Sequence, residues 1–153
     1  MMDLQLNEEL VFRNIKVDTD KEVLAYLANK LYQKDYVKKD YIEAIQKREF
    51  EYPTGLPSTP PIVAIPHANY ELVSHTTLAI ATLEQAVDFH NMENKNETLP
   101  TKIVIMMAIS EPHGQVEMLQ KIVGIIQNET LRKRMILAES DFELLTLLKQ
   151  AIA

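Results

Sequence analysis

The run Ile103-Val104-Ile105-Met106-Met107-Ala108-Ile109 limits what this chain can fold into more than any other stretch. Every position is apolar, so both alternating sides of a strand made from it need cover. Such a strand lies inside a sheet with helices on each face. Its seven residues suit a central strand and fall far short of a membrane span. Ile62-Val63-Ala64-Ile65 has the same character, and Thr76 to Leu83 reads as another strand. Leu10-Val11-Phe12 reads as a short first strand, and Ala86 to Phe89 as a short edge strand. The polar segment Asn91 to Pro100 reads as a surface loop.

Helical spacing fills the rest. Asp18-Thr19-Asp20 offers N-caps for a helix carrying Val23, Leu24, Leu27, Ala28 and Leu31, which leaves through Gln33-Lys34-Asp35. A second helix runs from about Lys38 through Tyr41, Ile42 and Ile45 to Arg48-Glu49. Five prolines and glycines then make Phe50 to Pro61 an irregular loop. After Ser110-Glu111-Pro112-His113-Gly114 comes a helix expected to bury Val116, Leu119, Ile122, Val123 and Ile126. Two more follow, about Glu129 to Ala138 and Asp141 to Ala151, the last with Phe142, Leu145 and Leu148 inward. The fold class is α/β: one domain over residues 1–153, a sandwich whose central mixed β-sheet is flanked by helices on both faces.

Composition removes several functions. The chain has no cysteine, so thiolate nucleophiles, disulfides and cysteine metal sites are excluded. Lys and Arg number 16 against 22 Asp and Glu, a formal charge of −6, which argues against nucleic acid as a partner. With three glycines there is neither a Walker A loop nor a G-x-G-x-x-G, so no nucleotide cofactor is expected. Met1-Met2-Asp3-Leu4 has no basic stretch leading into an apolar one, and a cytoplasmic protein is the expectation. The four histidines lack zinc-site spacing, so no metal is expected either.

Two of those histidines follow strands. Pro66 locks its own φ and holds Ile65 extended, so His67 leaves the sheet on a backbone with little freedom. His113 comes just after the central strand and just before an amphipathic helix. If the two strands are parallel neighbours, both imidazoles emerge at one sheet edge, where α/β proteins commonly build sites. Arg48 opens the loop that feeds the His67 strand. Two histidines and an arginine, with no acid in a triad position, point away from a hydrolase and toward phosphoryl handling. A neutral imidazole attacks phosphorus near pH 7, since its unperturbed pKa is about 6.5. The other cations can hold the equatorial oxygens. His75 and His90 sit in polar contexts and read as surface residues.

At these residues the chain resembles the enzyme IIA domains of the sugar phosphotransferase system, in the fructose–mannitol superfamily. The markers are Arg48-Glu49, Thr54-Gly55, Val63-Ala64-Ile65-Pro66-His67-Ala68, and Glu111-Pro112-His113 before Leu119-Gln120-Lys121. Phe50 to Leu56 and the run from Glu111 to Gln120 are most similar to the galactitol-type members. The resemblance implies that His67 is the phosphoacceptor through its tele nitrogen. It makes His113 the partner that steadies the phosphoryl group, and Arg48 a buried-side arginine that orients it. It implies HPr as donor and a cysteine of a cognate enzyme IIB as acceptor, with the membrane IIC component reached only indirectly. A phosphohistidine donor needs no metal or nucleotide, and the chain itself is not expected to insert in a membrane. A regulatory protein of the same fold, phosphorylated on the same histidine, is the alternative. A structural or sugar-binding module would ignore His67. The family often carries glycine close before the active strand, and here Ser58-Thr59-Pro60-Pro61 stands instead.

Overall fold

The computed structural model describes residues 4–153. Met1 to Asp3, part of the reading of the chain's start, lie outside the described residues. A turn of 3₁₀ helix (Glu8–Leu10) leads into β1 (Val11–Ile15), and α1 (Asp20–Gln33) and α2 (Asp40–Glu51) follow. The strands β2 (Gly55–Leu56), β3 (Ile62–Ala64), β4 (Thr77–Asn91) and β5 (Asn94–Ala108) come next, with a second 3₁₀ turn at Tyr70–Leu72. The chain closes with α3 (Pro112–Ile126), α4 (Glu129–Ile136) and α5 (Asp141–Ile152). The sheet is mixed. Strand β1 runs parallel to β4, β4 antiparallel to β5, and β5 parallel to β3. The short β2 pairs antiparallel with β3 and returns to β4 through Gly55 and Asn91.

The apolar run behaves as its lack of polar positions requires. Val104, Met106 and Ala108 face a core completed by Val23, Leu24 and Leu27 of α1 and by Tyr41 and Ile45 of α2. Ile103, Ile105 and Met107 face the opposite core, shared with Met118 and Ile122 of α3 and the leucines of α5. Burying both faces of one strand is what fixes its central place. Helix α1 starts as its sequence directs, with the Thr19 hydroxyl accepting from Glu22 N–H.

Four local expectations are corrected. Asn91 to Pro100 is no loop: β4 and β5 form one long hairpin that turns at Met92-Glu93, with His90 opposite Thr98 and Phe89 opposite Leu99. The start of β5, Asn94 to Pro100, is exposed but for the half-buried Leu99, so polar residues suit it and leave no alternating signal. Ala86 to Phe89 is no separate edge strand but the continuation of β4 past an irregularity between Thr82 and Val87, with Val87 and Phe89 buried. In α3 the inner stripe is Gly114, Met118, Ile122 and Ile125, whereas Val116 and Val123 are exposed. So many apolar residues crowd this helix that spacing alone does not select its inner face. Phe142, in the first turn of α5, is exposed too.

The proline-bearing loop is held from an unforeseen side. Arg132 of α4 is buried, and its guanidinium donates to the Pro61 carbonyl at 3.0 Å and to the Thr59 carbonyl and hydroxyl at 2.9 Å each. It also donates to the Ile125 carbonyl at 3.0 Å and to that of Ile126, both in the last turn of α3. One side chain thus ties the loop before β3 to the helix behind the sheet.

Candidate active site

The exit from β3 is pinned residue by residue. Ile65 N–H donates to the Thr54 carbonyl at 3.2 Å, and Met107 N–H donates to the Pro66 carbonyl at 2.9 Å. His67 pairs with Met107 in a parallel bridge, and the Gln115 side chain donates to the Ala68 carbonyl at 3.0 Å. Between these ties the half-buried His67 ring places Nδ1 at 3.0 Å from the carbonyl two residues back, Ile65 O. A carbonyl only accepts, so Nδ1 carries the hydrogen and the neutral ring keeps its lone pair on Nε2. Burial lowers the pKa of His67 from its ordinary value. The nearby Arg48 charge lowers it further, while the Ile65 carbonyl works in the opposite direction. The outcome is a neutral, oriented imidazole at pH 7.

Helix α2 is tied to the same point. The buried Tyr41 hydroxyl donates to the Met107 carbonyl at 2.9 Å, and burial pushes its phenol pKa up. Met107 therefore fastens both α2 and the Pro66-His67 exit to β5. Arg48 stands in the last turn of α2 with its guanidinium 4.6 Å from the centre of the Tyr52 ring. It is exposed, and not on a buried side, because the inward stripe of α2 is Tyr41, Ile45 and Glu49. His67, Arg48 and Glu51 form a ridge between two clefts. One, of about 640 Å³, is walled by Lys47, Asn69, Tyr70, Pro112 and Gln115. The other, of about 460 Å³, reaches the hairpin tip through Met92, Glu93 and Lys95.

The structure thus brings Arg48 and His67 to one wall. His113 stands exposed in the first turn of α3, beside the cleft-lining Pro112, and lies in the wall of neither cleft. His75 is exposed with its ring edge-on to Tyr36, and His90 is exposed with Nδ1 2.8 Å from the Lys95 carbonyl. Among the described residues no group of histidine and carboxylate side chains is placed to hold a metal ion. Nor is any helix there long and apolar enough to cross a membrane.

Several site residues have no role in the sequence reading, Glu49 among them although Arg48-Glu49 is one of its markers. Glu49 is buried, and its carboxylate accepts from Thr54 N–H at 2.7 Å and from the Thr54 hydroxyl at 2.6 Å. Desolvation outweighs those bonds and pushes its pKa up to about 7. The signal was present, since Tyr41, Ile45 and Glu49 recur every four residues along one helix face. Gln115 lay inside a marker run but had no role there. Lys95 and Glu93 fell in the segment read as a loop, so nothing pointed to the site.

Residues 4–151 match the family model described as phosphoenolpyruvate-dependent sugar phosphotransferase system, EIIA 2. The galactitol-specific EIIA component of Escherichia coli K12 is 24% identical over 115 residues, which are 75% of this chain and 76% of that protein. A fructose-specific EIIABC component of Bacillus subtilis is 28% identical over 112 residues, 72% of this chain and 16% of that longer protein. Among solved structures, the complex of enzyme IIAMTL with phosphorylated enzyme IIBMTL from Escherichia coli is similar with a TM-score of 0.77 at 25% identity. That match covers 96% of this chain and 99% of the other. On its sequence match and its fold, the chain belongs to the EIIA 2 family of the sugar phosphotransferase system.

Proposed function

We propose that His67 takes a phosphoryl group on Nε2 from the phosphohistidine of HPr and passes it to a cysteine of a cognate enzyme IIB. The observation that carries this reading is the bond from Nδ1 to the Ile65 carbonyl, which leaves Nε2 as the nucleophile beside Arg48 and two open clefts. In the forward step the Nε2–P bond forms as the donor's N–P bond breaks, and the donor imidazole leaves with the electron pair. No proton has to move, because Nδ1 keeps its hydrogen. The phosphorylated ring is then cationic, and the Ile65 carbonyl accepts a stronger, charge-assisted bond. Transfer to the IIB thiolate reverses the sequence. Arg48 pairs with the phosphoryl oxygens, and His113 approaches them from the first turn of α3. Likeness to the galactitol component supports a sugar alcohol as the cargo, taken up through the membrane IIC component while this domain works in the cytoplasm.

The test is incubation with phosphoenolpyruvate, enzyme I and HPr, followed by mapping of acid-labile phosphate. Phosphate on His67 that discharges to the galactitol IIB supports the reading. A label on His67 that no IIB removes would favour the regulatory alternative, and an unlabelled protein would exclude both.

A further inference from the structure

Position 49 is the third member of the inward stripe of α2, after Tyr41 and Ile45. Packing alone would put an apolar side chain there, yet it holds a glutamate only 5% exposed. A carboxylate so placed is costly unless something needs its acceptors. Both its oxygens go to one residue, Thr54, through the backbone N–H and the hydroxyl. The Thr54 carbonyl in turn accepts from Ile65 N–H, and the Ile65 carbonyl accepts from His67 Nδ1–H. Gly55, next along, lies so close to β4 that a Cβ there would come within 2.7 Å of the His90 carbonyl oxygen. The segment has little room to settle elsewhere.

We propose that Glu49 is a positioning residue for phosphoryl transfer: it clamps Thr54, and through Thr54 and Ile65 it sets the His67 tautomer that leaves Nε2 free. Glu49 touches neither the ring nor the phosphoryl group. The inference rests on His67 as the acceptor, but its first readout needs no phosphoryl donor. Glutamine at 49 can accept from Thr54 N–H and donate to the hydroxyl, so it keeps the clamp and removes the charge. Alanine removes the clamp. The charged groups around Glu49 are Arg48 beside it, Asp20 of α1, and Glu93 and Lys95 of the hairpin that share a cleft with Thr54.

The experiment is ¹⁵N NMR of the His67 ring in the full chain, from pH 6 to 8.5, combined with single-turnover labelling by phospho-HPr. Wild type should show Nδ1 protonated and Nε2 bare. Glu49→Ala should show mixed tautomers and label about tenfold more slowly with the donor's half-saturating concentration unchanged, the scale of one lost bond to a charged group. Glu49→Gln should restore the tautomer and most of the rate. It should also abolish the small step near pH 7 that wild type shows as Glu49 titrates. A folded Glu49→Ala protein with the wild-type tautomer and rate overturns the proposal. If that variant does not fold, Thr54→Val deletes only the hydroxyl half of the clamp. A partial tautomer shift with about threefold slower labelling then supports the proposal, and an unchanged ring defeats it. A wild-type protein that takes no label would sink the phosphoacceptor reading yet leave the tautomer measurement standing.

Discussion

Strands β3 and β5 run side by side in the same direction, and each sends a histidine out near its C-terminal end. The two exits are built differently. Around His67 the backbone is tied at Ile65, Pro66 and Ala68, and the ring is tied through Nδ1. His113 stands on an open helix turn without a hydrogen bond to its ring among the described residues. A nucleophile gains from such constraint, because attack needs one nitrogen bare and aimed. A group that only steadies charge after the bond has formed gains from reach. The contrast is what the proposed roles, His67 as acceptor and His113 as assistant, require of the two exits.

The contrast breaks most sharply at His67 itself. His67→Ala should take no acid-labile phosphate, with unfolding free energy within about 1 kcal/mol of wild type, since the half-buried ring makes one backbone bond. Phosphate on the variant would dismiss the fixed imidazole as acceptor.

His113→Ala should still be labelled on His67 but deliver to IIB about one decade more slowly, which matches one charge-assisted bond at an exposed position. His113→Gln should regain part of the loss. Unchanged quench-flow rates would reduce His113 to a helix-start residue, and phosphate on His113 would invert the comparison. Arg48→Lys should act on both steps by a smaller factor, about threefold. It keeps the charge, but it loses the planar fork and the stacking on Tyr52. Equal rates for lysine and arginine would mean that Arg48 contributes only its charge.

The parts of this architecture that could be read from sequence are those in which one residue type has one use. An all-apolar strand needs two covered faces, and Pro66 before His67 permits few conformations. Those two facts supplied the layers of the fold and the place of the candidate nucleophile. The hairpin tip stayed hidden because its strand is held by backbone ladder bonds, which leave no trace in polar side chains exposed on both sides. The clamp at Glu49 was hidden for a related reason. Glu49 reaches Thr54 partly, and Thr54 reaches Ile65 wholly, through main-chain groups that every residue carries. Arg132 shows the same limit, since four of its five acceptors are carbonyls.

The finest difference between the two exits is desolvation, and it is measurable by titrating the His67 ring. Burial and the Arg48 charge lower its pKa, so its NMR midpoint should fall below the ordinary 6.5. At pH 6.5 more than half of the rings then remain neutral, and from pH 7.5 to 6.5 the nucleophilic fraction falls by less than about twofold. Linkage has a definite sign here. The unfolded chain binds this proton more readily than the folded one, so the stability contributed by a neutral His67 is present above pH 6.5. It is lost as pH falls through the lower folded midpoint. Arg48→Ala removes the adjacent positive charge and should move the midpoint upward, though not to 6.5, because burial is the larger cause. A midpoint at or above 6.5 in wild type would mean that burial and the Arg48 charge do not outweigh the bond to the Ile65 carbonyl. The rigid exit would then have no electrostatic counterpart.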